Sequence, residues 1–307
     1  MKIINFLFYV FLVMNAKVIY AQSISFQELQ PGIFVHIGEH LDVDEGYHGD
    51  ICNIGFIIGK KSVAVIDTGG SLKIGNQLLK SIKKRTKLPI SHVINTHVHL
   101  DHIYGNAAFL DENPIYVGHS ELPKAMRLLK SFYEKTNQDY LKIPVEESIQ
   151  IPPTLLVSIG SPQEIDLGGR KLKLESFPEA HTSSDMIIED INTNTAWLAD
   201  LMFTERTPSV DGDIEGWISA LEKIKKRNYQ VIIPGHGTPP KDSNIAIEKI
   251  KLYLQLLRDE IRQAIDEGVG LQDAVETLVH SEKNKWELFD VQNARNINIV
   301  YPQMEWE

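Results

Sequence analysis

Apolar and polar positions along the chain follow two rhythms. Runs rich in β-branched and aromatic residues at 26–37 and 51–67, broken by glycine-containing turns, predict strands built first as hairpins. Within the second run, Val63 to Ile66 is uniformly apolar and ends in Asp67 and two glycines, as expected of a strand buried on both faces. Ile74, Leu78, Leu79 and Ile82 then fall at helical spacing. A strand over 91–95, a helix-like stretch over 104–110, a short strand at 116–118 and a helix over 120–136 follow, the last with Leu122, Met126, Leu129 and Tyr133 on one face. Residues 137–153 read as a connecting loop. Strands are expected again at 155–158, 171–177, 185–191 and 195–200, and an apolar run at 232–233 follows helical residues 219–226. A long amphipathic helix over 245–265 carries Ile247, Ile250, Leu254, Leu257 and Ile261, and a short helix spans 271–279. The aromatic tail at 286–307 is expected to pack back on the body. Strand and helix alternate twice, which suggests two αβ halves.

Length and composition fit one large globular unit: 307 residues, 43% of them hydrophobic. The first 21 residues read as a secretory signal, with Lys2 as the positive end, an apolar core from Ile3 to Met14 and Ala21 at the cleavage point. The domain then covers 22–307, including C-terminal helices within 243–280 and the tail 281–307. Export to a periplasm follows if the source is Gram-negative. Removing Lys2 and Lys17 takes the formal charge from -10 to -12, an acidity that argues against nucleic acid and against an anionic membrane as partners. Cys52 is the one cysteine, so the chain forms no internal disulfide. Its apolar surroundings mark it as a buried, inert thiol.

The densest chemistry is His97-Val98-His99-Leu100-Asp101-His102, placed directly after a predicted strand. Two imidazoles two residues apart in an extended segment point the same way. Asp101 and His102 face a second position nearby, so the pattern suits two metal ions. Three further candidate ligands sit at strand ends: His181 between two strands, Asp200 after Ala196 to Ala199, and His236 between Gly235 and Gly237. Each alone reads as an ordinary cap or hydrogen-bonding group; together, after that motif, they read as a site.

In the order Asp67, 97–102, His181, Asp200 and His236, the sequence resembles the metallo-β-lactamase fold superfamily over nearly the whole mature chain. The resemblance implies an α/β fold, an αβ/βα sandwich of two mixed β-sheets flanked by helices. It implies that His97, His99 and His181 hold one metal, that Asp101, His102 and His236 hold the other, and that Asp200 bridges them. An aspartate at that bridging position is similar to hydrolases of the glyoxalase II type. β-Lactamases of the cysteine-ligand subclass differ there, and Cys52 lies far from that position in motif order. Residues 49–56, 205–212, 294–296 and 305–307 resemble the quinoprotein relay system zinc metallohydrolases, exported SoxH-like proteins. That likeness implies a periplasmic quinoprotein as a candidate partner and leaves the substrate open.

Imidazole and carboxylate ligands point first to two Zn2+, with a single iron as the alternative. The expected activity is hydrolysis of a small-molecule thioester, ester, lactone or amide by a metal-bridging hydroxide, with Asp101 and Asp200 in catalytic positions. Asp67 is expected to fix a ligand histidine through its other ring nitrogen. Arg206 is a weaker candidate for holding a substrate carboxylate, against a plainer reading as an exposed salt bridge. His48, on a loop at 41–50 that can cover the site, and Tyr104 are weaker pocket candidates. His36, His40, His92, His119 and His280 have no motif context and are expected to be structural. Other classes that fit are a persulfide dioxygenase using His97, His181 and Asp200 for one iron, a β-lactamase, and a non-catalytic metal- or cofactor-binding module.

Overall fold

A computed structural model describes residues 24–42 and 47–306. The expected signal at 1–21 and the middle of the 41–50 loop therefore lie outside the described residues. Among those described, no helix is long and apolar enough to cross a membrane.

The first seven strands form one sheet in sequence order: β1 (Gln27–Gln30), β2 (Ile33–His36), β3 (Ile54–Ile58), β4 (Val63–Ile66), β5 (Ile90–Ile94), β6 (Ile115–His119) and β7 (Leu155–Val157). The next five form the other: β8 (Gln163–Asp166), β9 (Lys171–Ser176), β10 (Met186–Asp190), β11 (Thr195–Phe203) and β12 (Val231–His236). Strands β4 to β7 run parallel, as do β11 and β12, while the remaining pairs are antiparallel. The helices are α1 (Leu72–Arg85), α2 (Leu100–Ile103), α3 (Leu122–Thr136), α4 (Ile214–Lys225), α5 (Ser243–Asp266), α6 (Leu271–Thr277) and α7 (Phe289–Glu305). The expected sandwich of two mixed sheets flanked by helices is what the structure shows.

Period-two alternation explains the layering. Ile57, Ala64, Ile66 and Ile94 of the first sheet meet Leu172, Leu174, Ile188 and Trp197 of the second in a shared inner core. Their neighbours Phe56, Val63, Val65 and Val93 face outward and are covered by Ile74, Leu78 and Ile82 of α1. On the far side α4, α5 and α7 cover β11 and β12. Each fully buried Leu or Ile contributes roughly 1.5–3 kcal/mol, so this three-layer burial fixes the strand register. The chain passes between sheets at the turn following β7, where Ser158 bridges Ser161 and Gly160 adopts φ +75°.

Several elements differ from the sequence reading. The helix expected over 104–110 is instead α2 followed by a 3-10 helix, Asn106–Glu112. Gly105 separates them because it packs so closely on the Thr68 carbonyl that a side chain does not fit, and its N–H donates to Gly69 O at 2.8 Å. Residues 137–153 are not a plain loop: they contain a π turn, Asn137–Leu141, and a 3-10 turn, Val145–Glu147. The helix expected over 219–226 begins earlier, capped by Asp213. Strand β8 carries a lone buried apolar residue, Ile165, at the sheet edge, too little pattern to see. The tail forms α7, whose buried face mixes Gln292, Asn293 and Asn296 with Ile297, Val300 and Tyr301, which hides its amphipathicity.

Candidate metal centre

All seven expected ligands converge at one edge of the sandwich. Parallel strands end there together: β4 delivers Asp67, β5 leads into His97 and His99, and β12 ends on His236. The turn of α2 carries Asp101 and His102, the β9–β10 connection carries His181, and β11 carries Asp200. Strand β11 reaches its position by breaking its own alternation. Its register against β12 shifts on both sides of Ala199, which takes a left-handed φ of +46°. Such a bulge re-aims the next side chain, here Asp200. Gly235 on β12 makes room for it, since a Cβ at 235 collides with Asp200 Oδ1.

Two ligand sets share the Asp200 carboxylate. In the first, His181 Nε2 lies 3.1 Å from His99 Nδ1 and 3.3 Å from Asp200 Oδ2, and His97 Nε2 lies 3.7 Å from the same oxygen. In the second, His102 Nε2 is 3.2 Å from Asp200 Oδ1, and His236 Nε2 is 3.2 Å from Asp200 Oδ2. Asp101 Oδ2 is 3.5 Å from both His102 Nε2 and His236 Nε2. Donors about 3.4 Å apart are what tetrahedral bonds of 2.0–2.1 Å to one ion subtend. His97 Nε2, His102 Nε2 and Asp200 Oδ1 are buried without hydrogen-bond partners, an orphaning that a cation relieves. The residues fit divalent metal.

Every ring nitrogen facing away from the centre is tied down. His102 Nδ1 donates to Asp67 Oδ2 at 2.8 Å, the role expected for Asp67. His97 Nδ1 donates to Thr96 Oγ1 at 3.0 Å, and that hydroxyl donates to Asp67 Oδ2 at 2.7 Å, so Asp67 orients two imidazoles. His181 Nδ1 donates to Ser209 O (2.7 Å), and His236 Nδ1 to Ile51 O (2.6 Å). His99 Nε2 lies 2.9 Å from Asp211 Oδ2, and Asp211 in turn accepts from Arg295 at 2.5 Å. The sequence reading did not single out Thr96, Ser209, Asp211 or Arg295 as site residues. Three of them, Ser209, Asp211 and Arg295, lie in stretches that carry the family likeness, but no local spacing joins Asp211 to Arg295, 84 residues apart. Such outer contacts fix tautomer and ring direction.

The centre is nearly sealed. His97, His102, His181, His236 and Asp200 are all buried, and His99, with 16% of its side chain exposed, is the open edge. Burial raises the Asp200 carboxyl, but the imidazoles of His236, His102 and His97 reverse this and hold it well below the usual range. Against its own burial, His102 is held well above the ordinary imidazole value by Cys52, Asp200, Asp101 and Asp67. Burial lowers His97, helped by His102.

The weaker candidates separate. Arg206 is not an exposed salt bridge: it is 5% exposed, and its guanidinium lies behind His236, 3.4 Å from Nδ1 and the same distance from Leu41 O. Tyr104 is buried; its hydroxyl accepts from Gln150 and borders a cavity of about 550 Å³ against α1. His48 is exposed. Cys52 is buried as expected but is not remote. Its Sγ reaches Asp101 O at 2.9 Å and groups with the Asp101 and His102 side chains.

The sequence model of the metallo-β-lactamase superfamily matches residues 48–236, which span this whole ligand array. The chain belongs to the metallo-β-lactamase superfamily. Its homologues there are metal-dependent hydrolases. Metallo-β-lactamase IND-1 of Chryseobacterium indologenes is 23% identical over 187 residues, 59% of this chain and 70% of that protein. Metallo-β-lactamase type 2 of Bacillus cereus is 21% identical, covering 70% of this chain and 77% of its own. A linear primary-alkylsulfatase of Pseudomonas sp. (strain ATCC 19151) is 22% identical over 68% of this chain, which spans 45% of that protein. Among solved structures, a metallo-β-lactamase from Pontibacter korlensis superposes with a TM-score of 0.60 at 18% identity, covering 76% of this chain and 99% of the other. TMB-1 gives 0.59 at 15%, covering 76% and 97%. These likenesses establish the superfamily fold.

Proposed function

We propose that this superfamily member is an exported dinuclear zinc hydrolase acting on a small acyl substrate: a thioester, ester, lactone or amide. One observation carries the two-ion reading. Asp200 presents Oδ2 to His97, His181 and His236 and Oδ1 to His102, so a single carboxylate faces both ligand sets. A mononuclear iron centre on His97, His181 and Asp200 has no use for His102 and His236 aimed at that same group. When bound, two zinc ions supply an activated water nucleophile and polarise the scissile carbonyl.

The chain's own residues do the rest. Asp101, an acceptor set between His102 and His236, orients the hydrogen of an attacking water. The buried walls keep bulk water from the reacting atoms. Substrate enters over His99, where Arg295, 42% exposed and already paired with Asp211, is the cation that an incoming acid group meets. Buried Arg206 acts from behind His236, offsetting the charge of Asp101 and Asp200. Export rests on the pattern of the first 21 residues, and a quinoprotein oxidation system as the setting rests on the SoxH-like sequence resemblance.

Elemental analysis of the protein purified without added metal tests the reading. Two zinc ions per chain are expected; one iron overturns it in favour of oxygen-dependent sulfur chemistry. Asp200→Ala should keep the fold, lose one ion and cut hydrolysis by about 100-fold or more, and full activity in that variant sinks the bridging role. The screen should include a β-lactam and an alkyl sulfate, the substrate types that the relatives' names indicate.

A further inference from the structure

Cys52 stands against Asp101 and His102 of the second ligand set. It is the only cysteine in the sequence and is 1% exposed. Its Sγ, an Asp101 carboxylate oxygen and a His102 ring nitrogen lie within 4.8 Å of one another, the same span that encloses ligand atoms of His102, Asp200 and His236. The two groups share His102, whose buried Nε2 has no hydrogen-bond partner and aims into the space they surround.

The backbone explains how a residue 49 positions before Asp101 gets there. Ile51 O accepts the Nδ1 proton of His236 at 2.6 Å. Asn53 N–H donates to Gly235 O at 2.7 Å, and Asn53 Nδ2 donates to Pro234 O and Gly237 O at 2.9 and 2.7 Å. Both neighbours of Cys52 are thus clamped to the turn that bears His236. The thiol itself donates to Asp101 O at 2.9 Å, so the residue is wedged between the two segments carrying this ligand set.

We propose that Cys52 is a ligand of the second metal position, adding a thiolate to the Asp101 carboxylate and the imidazoles of His102 and His236. This rests on the two-ion reading above. On metal binding the S–H bond breaks, the sulfur electron pair forms the bond to the metal, and the proton leaves to solvent as the hydrogen bond to Asp101 O is lost. A soft thiolate strengthens the bias of that position toward zinc or iron and against manganese or magnesium, whereas the first set, three imidazoles and a shared carboxylate, has the weaker bias of its imidazoles alone.

Titrating the metal-free full chain with Co2+ under anaerobic conditions tests this. The expected result is a sulfur-to-cobalt charge-transfer band in the near ultraviolet. Cys52→Ser should remove it while the visible ligand-field bands remain, and should weaken one of the two cobalt ions by about 100-fold. With one cysteine in the chain, the unmodified protein's spectrum decides the matter even if the variant fails to fold. Two bound cobalt ions with no such band overturn the proposal, as does a band that survives Cys52→Ser. The cobalt count separates the readings. One ion with the band keeps Cys52 as a ligand and overturns the two-ion reading; one ion without it overturns both.

Discussion

Asp67 anchors two imidazoles from a strained backbone position. Its φ of +50° costs about 1 kcal/mol for a residue with a side chain, and from there its carboxylate accepts from His102, Thr96 N and Thr96 Oγ1. Asparagine tolerates the same φ, so Asp67→Asn keeps the turn and removes the charge. Its zinc affinity at the second position should fall about 10- to 100-fold, read by competition with a chromophoric chelator; an unchanged affinity refutes the anchoring role. His102 sets the pH dependence. Because its folded value is raised, against its own burial, by Cys52, Asp200, Asp101 and Asp67, the metal-free protein holds the imidazole proton to higher pH than a free histidine does, and Nε2 must be free of a proton to ligate. Zinc uptake should therefore release protons, and apparent affinity should rise about tenfold per pH unit while one proton is displaced. Calorimetry in buffers of differing ionisation enthalpy measures the release, and no buffer dependence at pH 7 contradicts it.

Among the elements, β11 carries the geometry. Its left-handed Ala199 turns Asp200 into the centre, and Gly235 on the neighbouring strand leaves the space. Gly235→Ala should displace Asp200, abolish binding of the second ion and cost roughly 1–3 kcal/mol in denaturant unfolding; a variant that binds two ions normally shows the space to be dispensable. The 97–102 motif was legible because all six residues lie within eight positions of the strand end at Ile94, and side-chain type alone marks four as donors. Central strands such as β4 and β11 were legible from two-sided burial, whereas the edge strand β8 was not. Helix α7 was not, because its inward face spends polar side chains on holding the 205–212 segment: Asn296 donates to Pro208 O and accepts from Val210 N. For the same reason Asp211 and Arg295 gave no signal, since their meaning arises only when α7 docks. Cys52 was read from its apolar neighbours in sequence, which describe one side of it; the other side is supplied by Asp101, 49 residues on.

At the scale of the molecule, the two sheets are consecutive pieces of chain, β1 to β7 and then β8 to β12. The ligands divide with them: His97, His99, Asp101 and His102 precede the turn at Gly160, and His181, Asp200 and His236 follow it. A Cβ at Gly160 meets nothing within 4 Å, so that turn is free of packing constraints. The shared inner core holds the halves together by burial, and on the dinuclear proposal metal joins them a second time through side chains alone. Severed at Gly160, the protein should behave as a complementation pair whose association is induced by zinc. Residues 24–159 and 160–306 should associate more tightly in zinc than in chelator, by about 2.7 kcal/mol when zinc is at 100 times its Kd. Size-exclusion chromatography of the mixed fragments, with and without the ion, reads that difference directly, and equal association in both refutes it.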